Sequence, residues 1–226
     1  MPMLRAGAER KGFHMTGKCT EINVAGRKLL HFNQRCRDWT HPYPYQNDED
    51  LCSAGCGIFS LCHAAEWLTG ERQSPEKWAD FSCANGGRGD DGTDRPALLA
   101  ALMASGDAAK LGFRYEGDGL RNDLDPLFDG LLNNRCVAMC NLRVGHIVAL
   151  IGARIQNGEK QVLAIDSCSE SAAEKVRDGV REVLPGTEIT MPVRNAQGLV
   201  VGTTISYAAF WVKLTQVRDY NMMHVL

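Results

Sequence analysis

Residues 135–166 read RCVAMCNLRVGHIVALIGARIQNGEKQVLAID. Three runs rich in Val, Ile and Ala, Arg135–Leu142, His146–Ile155 and Lys160–Asp166, have the composition of strands. Asn157-Gly158 between the last two predicts a tight hairpin turn, because both residue types tolerate the positive φ such a turn needs. Ser206–Leu214 reads as another strand, Arg27–Phe32 as a short one, and Gly186–Ile205 as a hairpin around Asn195–Gly198. Upstream the period changes. In Cys56–Thr69 (CGIFSLCHAAEWLT), Ile58, Leu61, Cys62, Ala65 and Leu68 recur at helical steps, and Gly70 is a natural stop. Ser74-Pro75-Glu76 predicts an N-cap, a first-turn proline and a second helix running to about Cys83. Asp94–Ser105, Arg121–Asn134 and Ser169–Val183 read as further helices, and Asn85–Asp94 as a Gly/Asp loop. Helices thus dominate 56–134 and strands 135–214. This segregation predicts an α+β fold, helices packed on an antiparallel sheet, and not the alternation of a doubly wound sheet.

The chain has 226 residues, with 25 Lys and Arg against 27 Asp and Glu, a net charge of −2. That balance speaks against a nucleic-acid-gripping basic face and against a polybasic membrane binder. No apolar run is long enough to span a membrane, and the first 35 residues hold no apolar core of a secretory signal, so localisation is left open. Residues 1–25 are expected to be a flexible lead-in and 26–226 a single domain. The nine cysteines are odd in number and include no Cys-x-x-Cys. Cys136 and Cys140 fall on one strand, four residues or roughly 13 Å apart, too far to bridge or to share a tetrahedral metal. Small, buried, reduced cysteines are the expectation, with no metal and no cofactor.

Cys56 is placed differently, at the start of the strongest helix and between Gly55 and Gly57. The positive end of a helix favours thiolate, flanking glycines let a substrate backbone approach, and first-turn N–H groups can hold an oxyanion. A nucleophilic thiol needs a base. His63 lies seven residues along the same helix, about 10.5 Å away at 1.5 Å per residue, and reads as a core or helix-face residue. His146 heads one strand and Asp166 ends its hairpin partner, where a carboxylate could orient an imidazole. Strand parity sets a condition. With a clean two-residue turn, paired positions sum to 315 and His146 and Asp166 point to opposite faces. A longer loop or one bulge shifts the sum by one and places them on the same face.

These blocks resemble bacterial papain-like cysteine peptidases related to the leader-cleaving, double-glycine peptidase domains of bacteriocin exporters. The resemblance rests on Asn33-Gln34-Arg35-Cys36-Arg37-Asp38-Trp39, Ala54-Gly55-Cys56-Gly57-Ile58-Phe59-Ser60-Leu61, Gly145-His146-Ile147-Val148-Ala149-Leu150 and Ile165-Asp166-Ser167, in the family's order over roughly residues 30–170. It implies a papain-like fold, the nucleophile at a helix start packed on an antiparallel sheet. It also implies peptide hydrolysis with Cys56 as nucleophile, His146 as base, Asp166 orienting it and Gln34 in the oxyanion hole. Gln46, ten residues before Cys56, is the rival for that last role. The chain departs from the family at Ile58-Phe59, where Pro-Thr is usual, at Cys36, and at Ser167, where the family has Pro. The stretch 167–205 lies outside the match and is expected to be an insertion near the site. The implied partner is a peptide or protein substrate, with oligomeric state open; the exporter's ATPase motif is absent from this sequence. Two other readings keep the same fold: an amidase or acyltransferase on a non-protein amide such as a cell-wall peptide, and a catalytically silent binding module. Arg88-Gly89-Asp90 reads as a chance adhesion tripeptide, and Asp90, Asp91 and Asp94 lack calcium-loop spacing.

Overall fold

The computed structural model describes residues 18–167 and 181–226. Residues 1–17, Cys168 and residues 169–180 of the helix expected over Ser169–Val183 lie outside the described residues; the last three of that stretch, Arg181–Val183, pair with a neighbouring strand and are extended, not helical. Strands β1 (Cys19–Val24) and β2 (Arg27–Phe32) form an antiparallel hairpin. β1 corrects the expectation of a flexible lead-in as far as residue 25: Ile22 and Val24 point inward and are buried, enough to anchor a strand whose other residues are polar or partly exposed.

The helical half follows. It contains α1 (Leu51–Ala54), α2 (Cys56–Thr69), α3 (Pro75–Ala84), the two-residue strands β3 (Arg88–Gly89) and β4 (Gly92–Thr93), α4 (Arg95–Ser105), α5 (Asp107–Lys110), β5 (Phe113–Arg114) and α6 (Leu124–Leu132). Local chemistry fixes the ends. Ser74 accepts from the Lys77 N–H to cap α3, and Asp94 accepts from the Ala97 N–H to cap α4. Gly70, at φ 74°, closes α2. The strand half is β6 (Cys136–Leu142), β7 (Ile147–Gln156), β8 (Glu159–Ile165), β9 (Arg181–Val183), β10 (Glu188–Arg194), β11 (Val200–Tyr207), β12 (Ala209–Lys213) and β13 (Val217–Val225).

Seven strands make one sheet in the order β5-β13-β6-β7-β8-β12-β9, all neighbours antiparallel. The architecture is therefore α+β, as the segregated pattern implies. Both faces are covered. Val137, Met139, Ile147, Ala149, Leu163 and Ile165 pack with α2 residues such as Ile58 and Leu61. Ala138, Cys140, Val148, Leu150, Val162 and Ala164 pack with Leu127, Phe128 and Leu131 of α6. β10 and β11 pair only with each other, as the hairpin expected there.

The β7–β8 register decides the site. The turn is the two-residue Asn157-Gly158, both at positive φ, and pairs from Gln156↔Glu159 to Gly152↔Leu163 sum to 315. Between Gly152 and Leu150 the register shifts, so that Leu150 pairs with Ala164 and Ala149 with Ile165, a sum of 314. Ile151 is the extra residue. It packs on the α2 side while Ala153, two residues on, lies on the α6 side, the reversal a bulge produces. Continued past Ile165, the shifted register puts Asp166 on the same face as His146.

Candidate active site

Cys56 is the first residue of α2, so its N–H belongs to the turn whose amides the helix does not consume. A short turn precedes it: Asp50 caps α1 and exchanges hydrogen bonds with Ser53. The two glycines beside the thiol have a packing reason that the sequence did not suggest. A Cβ on Gly55 would overlap the Leu51 carbonyl, and one on Gly57 would overlap the Thr93 side chain of β4. They let α2 start against α1 and the small β3–β4 hairpin, which puts Cys56 on the floor of a cleft.

His146 precedes β7 and meets Asp166 across the hairpin, its Nε2–H donating to Oδ1 at 2.6 Å. That leaves Nδ1 for the thiol, with which the ring is hydrogen-bonded. Burial pulls the His146 pKa down, but the Asp166 charge and hydrogen bond, with the Cys56 sulfur, carry it well above the ordinary imidazole value. Burial likewise pushes the Cys56 thiol up. His146 and the N–H groups of Ile147 and Gly57 outweigh that and hold it below the ordinary thiol value. The other seven described cysteines go the opposite way under burial; Cys19 is pushed up to about 11 and Cys136 to about 12. The arrangement favours a thiolate–imidazolium pair with a buried carboxylate behind it.

Gln34 and Gln46 are separated by the structure. Gln34 is buried and lines a cleft of about 320 Å3 together with Cys56 and His146. Its Nε2–H donates to the Cys52 carbonyl at 3.3 Å. Gln46 is exposed at φ 94° and is not among the residues of that cleft. Across the cleft stand Glu49, Asp90, Asp91 and Gly92, and the last three also border a neighbouring hollow of about 450 Å3 that reaches Ile147 and Arg218. This wall is held from inside. The buried Arg88 donates from Nε to the Tyr43 carbonyl at 2.9 Å and from a terminal nitrogen to the Gly92 carbonyl at 2.8 Å, and pairs with Glu49. Its guanidinium is therefore unavailable to an outside partner, and the Arg88-Gly89-Asp90 tripeptide is a structural corner.

Other side chains support the site without a sequence signal. Ser60, one turn below the thiol, has its hydroxyl 2.8 Å from the Cys56 carbonyl and 3.0 Å from that of Ile147, tying α2 to β7. His31 donates from Nε2 to the Asp166 carbonyl at 2.7 Å. His63 is buried and accepts the Phe32 N–H at Nε2, 3.2 Å away, a core histidine as its spacing implies. Trp39 and Trp78 are in the core, and Trp67 and Trp211 flank it. Among the described residues no group of three His, Cys, Asp or Glu is arranged to hold a metal, and no helix is long and apolar enough to cross a membrane. Compared with family models, curated proteins and solved structures, the chain finds no match in any of the three.

Proposed function

We propose that this protein is a papain-like cysteine peptidase. What carries the reading is that, of the eight described cysteines, the one at the head of α2 has its thiol lowered, and the cause is a histidine backed by a buried carboxylate. The Cys56 thiolate attacks a peptide carbonyl carbon. The oxyanion is received by the Cys56 N–H and the second hydrogen of Gln34 Nε2. Imidazolium His146 gives its proton to the leaving amine as the C–N bond breaks, leaving a thioester on Cys56. Neutral His146 then takes a proton from water, whose oxygen attacks the thioester and releases the acid and the thiolate. Asp166 keeps the ring oriented and its charge compensated throughout.

The test is labelling with an epoxide-class thiol-protease inhibitor, read by peptide mass spectrometry in wild type and His146→Ala. Selective modification of Cys56 that falls in the variant is the expected result. Slow modification scattered over exposed cysteines would overturn the reading in favour of a silent binding module. Turnover of peptide panels but not of peptidoglycan fragments separates a peptidase from an amidase of the same machinery.

A further inference from the structure

We infer that Ser167 is the positioning residue of the Gln34 amide, deciding which end of it faces the thiol. The inference rests on the peptidase reading and assigns a role to the position where the resembled family carries proline. A buried primary amide has two ends of similar shape and opposite polarity, and an oxyanion site works only if the NH2 end faces it. Gln34 is 6% exposed, so water does little to set that choice. The atom beside the Cys52 carbonyl at 3.3 Å must be the nitrogen, because a carbonyl only accepts. The oxygen end then faces Ser167, whose hydroxyl donates to Oε1 at 3.2 Å. Ser167 is itself 1% exposed, and its carbonyl accepts the Gln34 backbone N–H at 2.9 Å.

The clamp has a second half one residue earlier. The Asp166 carboxylate holds His146, and the Asp166 carbonyl accepts from His31 at the end of β2. Two consecutive residues after β8 therefore fix both partners of Cys56, the imidazole through Asp166 and the amide through Ser167. A proline at 167 could offer its carbonyl to Gln34 but no hydroxyl. Loss of the hydroxyl would leave Oε1 a buried acceptor without this donor, and a flipped amide would set oxygen against the Cys52 oxygen. The amide would turn away from its working angle, and Nε2 would lose its aim at the oxyanion.

Two reagents separate thiolate formation from oxyanion stabilisation. Iodoacetamide alkylates the thiolate by displacing iodide and creates no oxyanion. p-Nitrophenyl acetate acetylates it: the sulfur–carbon bond forms through a tetrahedral oxyanion, the ester C–O bond breaks and p-nitrophenolate leaves. Both are read at the Cys56 peptide by mass spectrometry. Ser167→Ala is expected to keep the iodoacetamide rate within twofold and slow acetylation about tenfold, a share of the 10²–10³ typical of deleting an oxyanion donor. Ser167→Thr should restore acetylation, and Gln34→Ala/Ser167→Ala should be no slower than Gln34→Ala. Wild-type acetylation in Ser167→Ala, or a full extra loss on top of Gln34→Ala, would overturn the role. A parallel loss of both reactions would make Ser167 merely structural and overturn it too. Failure of the peptidase reading itself looks different: wild-type Cys56 would then react with neither reagent faster than the exposed Cys83 does.

Discussion

Helix α2 carries two polar clusters seven residues apart, and they treat histidine in opposite ways. At its first turn, His146 approaches Cys56 with Asp166 Oδ1 2.6 Å behind its ring. At its middle, His63 stacks on His31 with ring centroids 5.5 Å apart, and Glu66 accepts the Leu30 N–H one helical turn further on. Burial lowers both imidazoles. His146 ends well above the ordinary value because a carboxylate faces it; His63 ends well below, pushed further by the neighbouring His31 and only weakly opposed by Asp166. The Phe32 N–H also points into His63 Nε2, where a second proton would have to sit. The same side chain is a charged partner at one end of the helix and a neutral spacer in the middle. Desolvation is common to the two, and the placement of one carboxylate reverses the outcome.

That contrast can be broken most severely at the thiol. Cys56→Ala should abolish peptide hydrolysis down to background while leaving the melting temperature within a few degrees, measured by fluorogenic turnover and calorimetry. Asp166→Asn should make His146 resemble His63, and kcat should fall about 10³–10⁴-fold, the scale of losing a triad carboxylate. A fall of less than tenfold would detach Asp166 from the site. In wild type the lowered thiol pKa and the raised imidazole pKa both favour the ion pair over the neutral pair. The rate of Cys56 alkylation should therefore stay high below the ordinary thiol value of 9.0, and the alkaline limb of turnover should lie above the ordinary imidazole value of 6.5. Asp166→Asn should draw that alkaline limb downward.

Stability should show the opposite signs of the two histidines. The folded-state pKa of His146 is raised, so its contribution is present below about 6.5 and fades as pH climbs through the folded value. The folded-state pKa of His63 is depressed, so nothing is lost above 6.5. Below it the unfolded chain takes up a proton that the folded protein refuses, costing up to about 1.4 kcal/mol per pH unit. His63→Gln, which keeps an acceptor for Phe32, should flatten urea midpoints between pH 7 and 5. An unchanged slope would show that His63 protonates freely. The smallest effect is expected at Ser60→Ala, where losing the tie between α2 and β7 should cost about 1 kcal/mol in urea denaturation.

Much of this was legible beforehand, and the exceptions share a cause. Helices α2, α3 and α4 announce themselves through periodicity and caps, and the β7–β8 hairpin through Asn157-Gly158. Strand β13 escaped because VRDYNMMHV does not alternate: it lies inside the sheet, and its Asn221 is buried with Nδ2 donating to the Gly119 carbonyl at 2.6 Å. β1 escaped because only Ile22 and Val24 mark it. In the site, Cys56, His146 and Asp166 are readable as chemical types at suggestive places, whereas nothing in the sequence tells that Gln34 is buried and Gln46 exposed. The contacts of Ser60, Ser167 and the buried Arg88 are not legible in the sequence, because hydrogen bonds to backbone or to distant side chains leave no spacing in the chain.

The bulge at Ile151 makes the site depend on a count as well as on residues. Ile151 is the residue of β7 that faces no partner on β8, so deleting it would remove the bulge yet leave Leu150 opposite Ala164 and Gly152 opposite Leu163, and Asp166 would stay on the face of His146. Straightening the bulge with every residue retained is the change that restores the uniform 315 register and turns Asp166 away from His146. Among descendants of this sequence, loss of the Ile151 position should therefore be tolerated, whereas a one-residue insertion or deletion elsewhere in β7 or β8 that keeps the bulge should not.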